Sequence, residues 1–112
     1  MNLQEIITKL DLTVFTSPRN FSERKPQGGY ASDLLSCVMA GAQPENIWVT
    51  LQSHMNVVAV AALREVSAVI ITENAQPEAD VITKANEQGV VLLGTPEAGY
   101  QIIGKLWEMG IR

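Results

Sequence analysis

The sequence is short of the residues that most often announce chemistry. It has one cysteine, Cys37, and one histidine, His54, among 112 residues. A single cysteine allows no internal disulfide, and one cysteine with one histidine leaves too few soft ligands for a structural zinc site, so no metal is expected. Basic residues are also scarce, 8 against 12 acidic ones, for a net charge of −4. A phosphate-backbone binder needs a basic face for counterion release, so nucleic acid is not an expected partner. No apolar run reaches the roughly 18 residues that would suggest a membrane span. The first residues, MNLQEIITKL, are polar and acidic where a signal peptide has a basic and then an apolar stretch. These features imply a cytoplasmic location and no membrane contact. The QGGY stretch at 27–30 has adjacent glycines but neither P-loop nor dinucleotide-fold spacing, and no nucleophile elbow is present. No cofactor is expected.

What is there is enough apolar material for one domain over residues 1–112, with 46% hydrophobic content, in an alternating pattern. Residues 2–9 place Leu3, Ile6, Ile7 and Leu10 on one side of a short helix, and LTVF (12–15) reads as a strand. A long loop, TSPRNFSERKPQGG (16–29), follows. YASDLLSCVM (30–39) reads as an irregular strand, although a short helix fits nearly as well. NIWVTL (46–51) reads as a strand, 55–65 as a helix, AVIIT (68–72) as a buried strand, 77–89 as a helix with Pro77 in its first turn and Gly89 past its end, and VVLLGT (90–95) as a strand. A last helix starts at Thr95-Pro96-Glu97 and stops at Gly110. Strands separated by crossover helices predict an α/β fold: a small, predominantly parallel sheet flanked by helices.

In such sheets ligands collect beyond the carboxyl ends of the strands, where helix N-termini offer unpaired N–H groups. Three junctions qualify: Gln52-Ser53-His54, Thr72-Glu73-Asn74 and Gly94-Thr95-Pro96-Glu97. The plain alternative is that Ser53, Asn56, Asn74 and Thr95 cap helices. A catalytic His54 would need a nucleophile or an orienting carboxylate that the sequence does not supply, so no catalytic residue is assigned. Cys37 lies in an apolar context without flanking cations and reads as a buried, unreactive thiol. Arg19, Arg24 and Lys25 in the long loop are either solvated charges or contacts for an anion or an acidic partner.

Three strings, GGYASDLLSCVMAGA (28–42), IWVTLQSHMNVVAVA (47–61) and AVIIT (68–72), continued by GVVLLGTPEAGYQIIGKLWEMGI (89–111), together resemble the DRTGG domain family over nearly the whole chain. The name-giving string itself is absent. The resemblance implies a fold similar to the N-terminal domain of HPr kinase/phosphorylase and, more distantly, to the N-terminal domains of Mur ligases. That comparison favours a strand over Tyr30–Val38. It also implies a regulatory or dimerising role, with stand-alone copies associated with anaerobic metabolism.

The helix at 55–65 is apolar all round, which a surface helix would not tolerate. One explanation buries Val57, Val58, Val60, Ala61 and Ala62 between the sheet and a second subunit; the other covers them internally with the helix at 97–109. The leading expectation is a non-catalytic regulatory or dimerisation module, a homodimer or the binder of a protein partner. The alternative is a sensor of a nucleotide or small anionic metabolite at the C-terminal edge, using Ser53, His54, Thr72 and Thr95 with Arg19 or Arg24. An enzyme with His54 as base stands behind both.

Overall fold

The computed structural model describes residues 1–112. Its framework follows from strands whose alternate side chains serve two cores. Strand β1 is Thr13–Val14, β2 Gly29–Ala31, β3 Ile47–Thr50, β4 Ala68–Ile71 and β5 Leu92–Gly94. They form one sheet in the order β1-β5-β4-β3-β2, parallel except for β1, which runs antiparallel to β5. Ile47 and Val49, Ala68 and Ile70, and Val91 and Leu93 point to one face, while Trp48, Val69, Ile71 and Leu92 point to the other. Both faces are therefore apolar, as buried parallel strands require.

The helices divide between the faces. Helix α1 (Leu3–Lys9) and the last helix, α5 (Gly99–Glu108), cover the first, with Leu3, Ile6, Ile102 and Leu106 buried against it. The crossover helices α2 (Leu35–Gly41), α3 (Met55–Arg64) and α4 (Ala79–Gln88) lie side by side on the second. This is the expected α/β sheet flanked by helices. Trp48, fully buried in the second core, donates its indole N–H to the Ser32 carbonyl at 2.9 Å, so its one polar atom is satisfied. Burying such a side chain stabilises by roughly 1.5–3 kcal/mol.

Several expectations need correction. Residues 30–38 are not one strand: β2 ends at Ala31 and α2 begins at Leu35. A turn separates them because Ser32 Oγ accepts from the Leu34 N–H at 3.1 Å and Asp33 Oδ1 accepts from the Leu51 N–H at 2.9 Å. Beyond the turn Leu35, Val38 and Ala42 recur at helical spacing and pack into the second core. Cys37 falls on the outer side of α2 and is exposed, not buried. The last helix starts four residues later than Thr95, and α4 starts after Pro77, at Ala79.

The loop at 16–29 is anchored. A single 3₁₀ turn, Phe21–Glu23, buries Phe21 in the first core, and the Arg24 carbonyl accepts from the Leu3 N–H at 2.8 Å.

The apolar helix has an internal explanation, but not the one expected. Helix α5 lies on the opposite face of the sheet; α3 is instead enclosed by the sheet beneath it and by α2 and α4 on its flanks. Val57, Val58, Val60 and Ala61 are buried in that core and are not available to a second subunit, whereas Ala62 is half-buried. The side of α3 that faces outward carries Met55, Ala59 and Leu63.

Candidate functional site: the two ends of the sheet

At the C-terminal ends of β3, β4 and β5 stand Thr50, Thr72 and Thr95, all buried. The ladder continues through them: the Thr72 N–H donates to the Thr50 carbonyl at 2.9 Å, and the Thr95 N–H to the Ile71 carbonyl at 3.1 Å. The chain leaves β4 for α4 on one face and β5 for α5 on the other, so a topological switch point lies between Thr72 and Thr95, where sheets of this kind bind ligands.

That crevice is bridged by the protein's own backbone. The Glu73 N–H donates to the Glu97 carbonyl at 2.8 Å, and the Asn74 N–H to the Thr95 carbonyl at 2.9 Å. Both donors adopt left-handed backbone, with φ of 58° and 60°, which turns the two N–H groups across the gap. The Glu97 N–H in turn donates to Thr95 Oγ1, and Lys105 Nζ holds Glu97 Oε1 at 2.7 Å. Internal hydrogen bonds thus occupy the N–H groups of Glu73, Asn74 and Glu97, while no side chain caps the first turn of α5.

Ser53 and His54 lie one junction away, in a separate cleft of about 460 Å³ between the starts of α3 and α4. Glu78 and Asp80 line it too and offset the partial positive charge of the two helix starts, and no lysine or arginine is there to hold an anion. No carboxylate oxygen comes within 4.0 Å of a His54 ring nitrogen, and His54 makes no side-chain hydrogen bond. Nowhere do three His, Cys, Asp or Glu side chains gather to hold a metal ion.

The capping alternative does not describe this edge either. The residues preceding α3, α4 and α5 are His54, Glu78 and Ala98, and none of them makes a side-chain cap. By contrast α1, which starts elsewhere, has a full capping box between Asn2 and Glu5. Ser53, Asn56, Asn74 and Thr95 are therefore not caps. Asp33 is the residue at this edge that the sequence reading undervalued: its Oδ1 accepts from Thr50 Oγ1 at 2.8 Å as well as from Leu51, tying the β2–α2 turn to the end of β3.

Arg19 and Arg24 lie at the other end of the sheet and cannot assist Ser53, His54, Thr72 or Thr95. With Lys25 they line a cleft of about 690 Å³ bordered by the start of β4 and the ends of α3 and α4. Arg24 Nη1 donates to the Ser67 carbonyl at 2.8 Å. Partial burial, and secondarily the charge of Arg19, hold the Arg24 guanidinium below its ordinary pKa. Glu45 and Glu65, both in left-handed backbone, and Ser67 line the same cleft. Their sequence neighbourhoods carry no motif, and only the fold brings them to the arginines.

A third feature is apolar. Met55, Val58, Ala59, Ala62 and Leu63 of α3, with Lys84 and Gln88 of α4, line a groove of about 450 Å³ on the outer surface. Leu63 is 68% exposed. On the far side of the molecule Tyr100 and Trp107 of α5 are exposed as well, with Arg112 stacked over the Trp107 ring at 5.4 Å.

No protein-family model and no curated protein sequence matches the chain. Among solved structures it is similar to the CBS and DRTGG domains of the regulatory region of Clostridium perfringens pyrophosphatase, complexed with the activator diadenosine tetraphosphate. The TM-score is 0.73 at 17% identity, covering 91% of this chain and 44% of that one. At that identity the likeness speaks for the fold, and the fold is that of a DRTGG-like α/β domain. The chain spans less than half the length of that regulatory region. No helix is long and apolar enough to cross a membrane.

Proposed function

We propose that this domain is a non-catalytic regulatory module that pairs with a second copy of itself through the outer face of α3. The observation that carries the reading is the stripe Met55, Ala59, Leu63, spaced by four residues so that it forms one ridge. It is symmetric about its smallest member. An antiparallel two-fold pairing would set Ala59 against Ala59 of the other copy and each Met55 against a Leu63, the self-complementary arrangement a closed dimer needs.

Charge supports the same occupant. Two copies, each at −4, repel one another in general, but residues 35–41 of α2 and 55–63 of α3 contain no charged side chain, and the charge lining the adjoining groove is a cation, Lys84 of α4. The one cation ending α3, Arg64, is turned inward, with Nε and Nη2 donating to the Ala42 carbonyl at 3.1 and 2.7 Å. Exposed Cys37, Met39 and Ala40 extend the uncharged surface onto α2. The metabolic setting, regulation in anaerobic metabolism, rests on the family resemblance alone.

Light scattering on the purified chain tests the pairing. The expected result is a dimer, and Ala59→Glu, which sets two carboxylates together near the two-fold axis, should give a monomer with unchanged circular dichroism. An unpaired buried charge costs about 3–5 kcal/mol, a weakening of at least about 100-fold. A wild-type monomer at high concentration, or a dimer indifferent to Ala59→Glu, overturns the proposal.

The second reading is a small-molecule sensor. The bridged crevice between Thr72 and Thr95 and the two carboxylates beside Ser53 and His54 weaken its support at the C-terminal edge, and the charged cleft at the opposite edge supports it instead.

A further inference from the structure

The cleft at the N-terminal edge has two walls of opposite character. One is the loop carrying Arg19, Arg24 and Lys25, with the single carboxylate Glu23 among them; the other is formed where α3 and α4 end, with Glu45 and Glu65 beside them. Helix C-termini carry partial negative charge, which adds to that of the carboxylates. Glu65 and Gly89 are the left-handed caps that end the two helices there.

The charges do not cancel within the protein. The ion pairs of this chain are Lys84–Glu87 and Lys105–Glu97, both elsewhere, so no carboxylate oxygen lies within 4.0 Å of Arg19, Arg24 or Lys25. The Arg24 guanidinium is partly withdrawn from water, and the nearby charge of Arg19 further disfavours its own. Of Arg24's donors, one is occupied by the Ser67 carbonyl and the others are free. An open volume of about 690 Å³ lies between the two walls, within the range of small-molecule sites.

We infer that this cleft binds a small metabolite with an anionic group, phosphate or carboxylate, held by Arg19, Arg24 and Lys25, and hydrogen-bond donors at its other end directed to Glu45 and Glu65. Guanidinium groups match such anions by paired N–H donors, and the glutamates accept from amino or hydroxyl groups. Electroneutrality selects a ligand with both ends: a simple anion would leave the carboxylate wall unanswered. The cleft shares Ala62 and Gln88 with the apolar groove on α3 and α4, so a bound ligand touches the border of the proposed dimer face. The inference goes beyond that pairing, and its test does not depend on it.

The test is titration of the isotope-labelled chain followed by backbone amide shifts, with AMP, adenosine, inorganic phosphate and glutamate as probes. AMP or glutamate should shift amides at 19–25, 65–67 and 88–90. Adenosine, which lacks the anion, should bind about 10-fold or more weakly than AMP, the value of one charge-assisted hydrogen bond. AMP binding competed by phosphate assigns the anion as phosphate; glutamate binding alone assigns it as carboxylate. Arg19→Ala, which removes no internal hydrogen bond, should weaken binding by a similar factor with the spectrum otherwise intact, and Glu65→Gln should weaken it as well. Because Arg24 tethers the loop to Ser67, Arg24→Lys is used there in place of alanine, and it should also weaken binding. The inference is overturned by an absence of shifts with every probe, by shifts confined to the C-terminal edge, or by equal affinity in Arg19→Ala and wild type.

Discussion

The two ends of the parallel sheet are built on opposite plans. At the C-terminal end, where open α/β sheets place their ligands, Glu73 and Asn74 fold back onto Glu97 and Thr95, and Asp33 ties β2 to β3. At the N-terminal end six ionised side chains line one cleft without an ion pair. The lesson is that topology locates a crevice but does not keep it open. Whether donors at a strand end await a ligand depends on what the adjoining loops do with them, and here those of Glu73, Asn74 and Glu97 are used internally.

On this view the C-terminal end should govern stability and the N-terminal end binding. The largest effect is expected at Gly94, the last residue of β5, where an added Cβ would run into the Phe15 ring. Gly94→Val should lower stability by about 1–3 kcal/mol in urea unfolding, the usual cost of overpacking. Next is Asp33→Ala, which leaves the buried Thr50 hydroxyl and the Leu51 N–H without their acceptor. A loss of about 1–2 kcal/mol is expected, toward the lower part of the range for an unsatisfied group because Asp33 is exposed.

A matched pair sharpens the contrast. Glu73 and Glu65 both sit in left-handed backbone, one at each end, with φ of 58° and 55°. Glycine in place of either relieves backbone strain and should stabilise by roughly 0.5–1 kcal/mol, partly offset by chain entropy. Only Glu65→Gly should also change ligand binding. An equal effect of both on binding would dissolve the distinction between the ends. The smallest change is expected for Arg19→Ala, whose side chain is exposed and unpaired: thermal unfolding should move by less than the equivalent of about 0.5 kcal/mol.

Much of the element order was legible because the apolar periodicity is strong. The strands at 46–51 and 68–72 and the helix at 77–89 read correctly to within a few residues. The segment at 30–39 misled because Ser32 and Asp33 break the period with a turn whose hydrogen-bond partner, Leu51, is 18 residues away. Of the candidate ligand residues, Ser53, His54, Thr72 and Thr95 were identified by their position at strand ends and Arg19 and Arg24 as basic residues of the long loop, yet the sequence could not group them. Thr72 and Thr95 lie at the bridged crevice, Ser53 and His54 in a cleft shared with Glu78 and Asp80, and Arg19 and Arg24 at the far edge.

By itself the sequence determined the class of fold, since runs such as AVII can only be buried on both sides and helices of ten or so residues must return the chain between parallel strands. It also determined that α3 must be covered over most of its circumference. Only the tertiary structure decided what covers it, α2 and α4 rather than α5, and hence that Ala59 and not Val58 faces outward. The same holds for the sheet ends. Periodicity is a local property that each residue reports to its neighbours, whereas the closing of one crevice and the opening of a cleft depend on hydrogen bonds and charges brought together from distant parts of the chain.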